Sequence, residues 1–200
     1  MADGRFEEAI PICERLVKAV PGNPGLIMNL AMAEQMAGHL AQATPRFEEV
    51  LKFDPKNVRA LTSLAMLQLQ LNRPQPAVAS LKKLLTLQPS DHDARGMLAG
   101  ALMSLGQFDE AAAQYRKLTA ENATDAKAWY GLGKAYEAQE GHAFEHMSQE
   151  APQSPYVAAL IGYSRLDWQQ YRGAFFFFRQ AEEKLPKLRG AIASPHGEFR

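Results

Sequence analysis

Cysteine is almost absent from these 200 residues: Cys13 stands alone, which excludes an intrachain disulfide. Excess charge is absent too, because 22 lysines and arginines balance 22 aspartates and glutamates. Proteins that grip nucleic acid through its phosphates carry a basic surplus, so no nucleic-acid partner is expected. The apolar runs fall well short of the ~20 residues that cross a bilayer, so no membrane span is expected either. The opening, MADGRFEEAIPICERL, is acidic and amphipathic and lacks the basic and apolar regions of a secretory signal. Cytoplasmic residence is the default expectation, with the periplasm or secretion as alternatives if the sequence is part of a longer protein. G-x-S-x-G, the P-loop, C-x-x-C and any strand pattern for a Rossmann turn are all missing. Neither catalysis nor a cofactor is therefore expected.

One short stretch speaks against that reading. Residues 142–146 read HAFEH, the H-x-x-E-H arrangement in which two histidines hold zinc beside a glutamate base. A metalloprotease also needs a third ligand and a large scaffold around it. Glu150, Glu182 and Glu183 follow, but nothing in the sequence positions them. The pattern is read as chance, with His142 and His146 exposed on a short surface helix and no metal bound.

What the sequence does contain is a period of 34 residues. Ala9, Ala43, Ala77 and Ala111 keep that spacing, as do Leu30, Leu64, Leu98 and Leu132. So do the turn residues Gly4, Gly38, Asn72 and Gly106, and the prolines Pro21, Pro55 and Pro89. Glycine or asparagine suits the left-handed residue that ends a helix, and proline cannot continue one. Asn23, Asn57, Asp91 and Asp125 fall where the next helix needs an N-cap, and Ser154-Pro155 repeats the device. Ala31, Ala65, Ala99 and Gly133 are small enough to let two helices approach closely opposite the alanine column. Cys13 shares a large-apolar column with Phe47, Leu81 and Tyr115, and reads as a buried packing thiol rather than a nucleophile.

The unit, a helix, a tight turn and an antiparallel helix, resembles the tetratricopeptide repeat of bacterial proteins. AWYGLGKAY (128–136) carries Trp129, Leu132, Gly133 and Tyr136 at the first-helix signature positions. GQFDEAAAQYRKL (106–118) carries Phe108, Ala111, Tyr115 and Leu118 of the second. The resemblance implies an all-α, right-handed solenoid of antiparallel helix pairs over residues 1–188. It divides into a partial repeat (2–23), full repeats (24–57, 58–91, 92–125), a repeat shortened in its second helix (126–154) and a last full one (155–188). Residues 189–200 are expected to be incomplete or disordered. Neither end has the polar face of a capping element, which suggests an excerpt of a longer array.

The resemblance also implies a scaffold or adaptor that binds a protein or peptide on its concave, first-helix face. Carried onto this chain, that face holds Met28, Met32, Met36, Arg59, Met66, Met103, Tyr130, Lys134 and Tyr163. Methionine is flexible and polarizable, which suits a surface that accepts varied segments. The competing reading is that superhelical curvature buries these side chains. A clamp for a C-terminal carboxylate is not expected, since only Asn29 and Arg59 match it. A second contact surface is expected at GAFFFFRQA (173–181), where at least one of Phe176 and Phe177 should protrude. It would meet a further repeat or a second copy of the chain. The alternative function is a regulatory or assembly domain of a larger enzyme or of a secretion or envelope component.

Overall fold

The computed structural model describes residues 5–186, so Gly4 and the segment 189–200 lie outside the described residues. Among the described residues there are ten α-helices and no strand, giving an all-α solenoid fold. First helices are α2 (Pro24–Met36), α4 (Val58–Gln70), α6 (His92–Ser104) and α9 (Pro155–Asp167). Second helices are α1 (Phe6–Ala19), α3 (Leu40–Phe53), α5 (Pro74–Leu87), α7 (Phe108–Glu121) and α10 (Tyr171–Lys184). A longer helix, α8 (Ala126–Glu150), belongs to neither length class. No helix among the described residues is long and apolar enough to cross a membrane.

Caps and turns fix these boundaries. Asn23 accepts hydrogen bonds from the backbone N–H groups of Gly25 and Leu26, while Asn57, Asp91 and Asp125 accept from Ala60, Ala94 and Ala128. Each satisfies donors that the first turn leaves without a partner. Gly38, Asn72 and Gly106 take the left-handed conformation, with φ of 86°, 54° and 71°. That conformation lets the chain fold back within three residues.

The chain divides into two compact units, one running to Tyr136 and one starting at Glu137. In the first, the 34-residue columns form the core. Ala31, Ala43, Phe47 and Val50 share one buried cluster, and Leu61, Ala65, Ala77, Leu81 and Leu84 share another. Tyr115 reaches across from α7 to α8. A Cβ on Gly131 would lie 2.4 Å from its ring, so only glycine fits there. Burial raises the Tyr115 hydroxyl above its usual pKa of 10.0. In the second unit α9 and α10 form one pair. Gly162 faces Phe178, 2.6 Å from where a Cβ would stand, and Ala158, Ala159 and Ala181 are buried together.

Two expectations need correction. Residues 126–150 form one continuous helix instead of a pair with a shortened second member. The column of Gly38, Asn72 and Gly106 reaches Glu140, which resists the left-handed conformation, and Gly141 comes one residue late. Ala143 and Met147 are the residues that could serve as the alanine and large-apolar columns of a second helix, but they would need the turn two residues early. With these signals out of register the helix runs on, and Ala143 is exposed. Cys13 is only half-buried, because no residue of α1 is fully covered. The left-handed turn between α9 and α10 falls on Gln169, with φ of 57°, where pattern reading had named no turn residue.

Candidate functional site

The first-helix face of the first unit is built by successive residues of α2, α4, α6 and the start of α8. At 34-residue spacing, one column holds Met28, Thr62, Gly96 and Tyr130, and the next holds Met32, Met66, Gly100 and Lys134. The structure treats these residues unequally. Met28 is buried with Ile27, Phe47 and Leu64, and Met32 packs half-buried against the same cluster. Met103 is half-buried between α6 and α7. Met36 and Met66 are 60% and 40% exposed, Tyr130 is 72% exposed, and Arg59 and Lys134 reach solvent. Met28 is therefore a packing residue, and the free apolar surface is narrower than the methionine pattern implies.

Glycine makes a notch in the middle of this face. A Cβ on Gly100 would meet nothing within 4 Å, and one on Gly96 would touch only Leu118 at 4.0 Å. On one side α4 presents Met66, and on the other α8 presents Tyr130 and Lys134. Both glycines sit inside a helix, where each costs about 0.5–1 kcal/mol relative to alanine. Two glycines four apart in one helix were the signal in the sequence for this gap.

Beneath the face, polar pairs join the helices of each repeat. Gln68 accepts from the Ser80 hydroxyl at 3.0 Å, both groups buried. Glu34, in the same column as Gln68, is buried with Arg46 Nε 3.9 Å away and one carboxylate oxygen lacking any hydrogen bond. Burial holds its pKa above the usual 4.5; Arg46 and His39 oppose that shift and Glu14 adds to it. Arg95 lies in the column of Ile27 and Leu61 but is almost fully buried. Its guanidinium bonds to the Pro89 carbonyl and to Gln114.

In the second unit, Tyr163 packs edge-on against Phe178, ring centroids 5.0 Å apart, so it serves the α9–α10 interface. Phe176 is 62% exposed and meets half-buried Phe177 in an edge contact of 5.4 Å. Phe177 also lines an open cavity of about 570 Å³ beside Arg165, Gln170 and Arg172. Trp168, Tyr171 and Phe175 are exposed on the same pair of helices, and Trp168 and Tyr171 escaped the sequence reading. The spacing of Tyr171 and Phe175, four apart on one helix face, was the signal for Tyr171. His142 and His146 are exposed, and among the described residues no three His, Cys, Asp or Glu side chains cluster as metal ligands.

With this geometry in view, the relatives can be placed. The tetratricopeptide repeat profile matches residues 34–84 and 72–136, which together cover just over half of the chain. A crystal structure of MamA aligns with a TM-score of 0.55 at 25% identity, covering 80% of this chain and 97% of that one. A second MamA crystal structure gives 0.57 at 25% identity, covering 84% and 94%. A tetratricopeptide repeat protein from Parabacteroides merdae shares the fold at 20% identity, with a TM-score of 0.56 and coverage of 96% and 77%. No curated relative matches the chain.

Proposed function

The chain belongs to the tetratricopeptide repeat family, and we propose that it works as a non-enzymatic adaptor holding a protein segment across the first-helix face of its first unit. The fold is a general scaffold for protein–protein interaction. The observation that carries the finer reading is the notch at Gly100. It is open at the Cβ position and lies between exposed Met66 and exposed Tyr130. An extended or helical segment could set one bulky apolar side chain there, with methionine adapting on one wall and the tyrosine ring stacking on the other.

The test is selection from a displayed peptide library. The wild-type chain serves as bait, and the Gly100→Arg variant provides the counter-selection. Because nothing surrounds the Gly100 Cβ, the variant should keep its helical circular dichroism. Peptides with an apolar anchor should be retained by the wild type and lost, at least tenfold in affinity, on Gly100→Arg. Equal retention by both proteins would exclude this face.

A further inference from the structure

Two helices of the first unit keep an uncovered face, and the two faces complement each other. In α2, α4 and α6 the columns Ile27/Leu61/Arg95 and Ala31/Ala65/Ala99 are buried beneath the second helix of the same repeat. On α8 those columns hold Trp129 and Gly133, and the column of Glu34 and Gln68 holds Tyr136. Since α8 runs on without turning back, Trp129 is 52% and Tyr136 46% exposed, and nothing lies within 4 Å of a Cβ on Gly133. The helix α1 is the converse case. Its Ala9, Cys13 and Leu16 stand in the columns of Ala43, Phe47 and Val50, which are all buried in α3. Among the described residues no first helix covers that side of α1, and Ile12 and Leu16 are 50% and 45% exposed.

We propose that α1 of one copy docks on α8 of a second copy and supplies the second helix that α8 lacks. The intact repeats give the pairing row by row. Ala43 shares a cluster with Ala31, and Ala77 with Ala65, so Ala9 lies over Gly133. Val50 clusters with Ile27, and Leu84 with Leu61, so Leu16 covers Trp129. In the third row, Arg46 faces Glu34 and Ser80 bonds to Gln68, while the α6–α7 repeat holds buried Leu102 and Gln114 at these two positions. The trans pair in that row is Ile12 with Tyr136, apolar against apolar. The open helices are thus apolar on both sides of a row in which every closed repeat has at least one polar member. Glycine in place of alanine at residue 133 allows an even closer approach.

Each copy carries one face of each kind, so the contact is heterologous and propagates from head to tail, as a ring or an open chain, instead of stopping at a symmetric dimer. It uses a different face from the Gly100 notch, and Gly100→Arg leaves it unchanged.

Sedimentation velocity on the 200-residue chain across a concentration series tests the proposal. The wild type should grow beyond two chains as concentration rises. Gly133→Arg, which clashes with nothing in the single copy, should sediment as one chain, and so should Ile12→Glu. An equimolar mixture of the two variants has one intact α1 and one intact α8 between them, and should stop at two chains. Circular dichroism matching the wild type shows that each variant is folded. A wild type that remains a single chain at millimolar concentration would overturn the proposal. So would assembly that both variants leave intact, which would direct attention to Phe175 and Phe176.

Discussion

The helices α6 and α8 start alike and finish differently. Asp91 caps one and Asp125 the other, each accepting a backbone N–H three residues on at 2.9 Å. Leu98 and Leu132 then occupy the same column, both buried. After that, α6 meets Gly106, turns, and is covered by α7, while α8 meets Glu140 and continues to Glu150. Ala99 is consequently sealed and Gly133 lies open. Residues on the face do not decide whether it becomes core or surface. A turn residue seven positions downstream of Gly133 decides it, because the covering helix arrives only if the chain reverses. Leu132 stays buried because its cover, Ala112 and Tyr115, comes from the preceding repeat.

The comparison can be broken most forcefully in the column of Leu61 and Trp129. Leu61 is 1% exposed, and its truncation to alanine should cost about 2–5 kcal/mol through lost transfer energy and a residual cavity. Trp129 is larger, yet Trp129→Ala removes a half-exposed ring whose Nε1 donates to the Ala123 carbonyl at 3.0 Å. It should cost less, about 1 kcal/mol, close to one neutral hydrogen bond. Urea denaturation at a concentration where the chain is a single copy measures both. A Trp129 loss as large as that of Leu61 would mean that α8 is covered in solution.

Smaller effects of opposite sign are expected in the column of Ala99 and Gly133. Ala99 is fully buried between helices, so Ala99→Leu should destabilise by about 1–3 kcal/mol through overpacking. Gly133→Ala adds a methyl group to open space and removes a glycine from a helix interior, for a gain of about 0.5–1 kcal/mol. Thermal midpoints should therefore move in opposite directions. If both fall, Gly133 is packed and the helix pair is closed.

These columns also mark how far the sequence could be read. Repeat period, helix caps and the buried alanine and leucine columns were legible, because capping and close packing need particular residue types at fixed spacing. The course of α8 was not, since Gly141 proposes one turn position and Ala143 with Met147 another. Local signals that disagree leave the default, which is an uninterrupted helix. Gln169 hid the last turn because glutamine carries no preference for the left-handed conformation that it adopts. On the first-helix face, residue identity was readable but exposure was not. Met28 and Tyr130 share a column, yet one is 8% and the other 72% exposed, according to what neighbouring helices lay over each.

The finest distinction lies in the column of Glu34 and Gln68, where a carboxyl and an amide take equivalent covered positions. Glu34 sits under α3 with its carboxyl pKa held above 4.5, chiefly by burial. The folded chain therefore keeps that proton to a higher pH than the unfolded chain does. Between 4.5 and the raised value the native state binds more protons, so stability falls as pH rises through that window and returns on acidification. Glu34→Gln removes this dependence and places at residue 34 the amide that already works at Gln68. Thermal midpoints of the two proteins should converge as pH approaches 4.5 and separate in favour of the variant toward pH 7. Parallel curves would show that Arg46, at 3.9 Å, fully offsets the burial of the carboxylate.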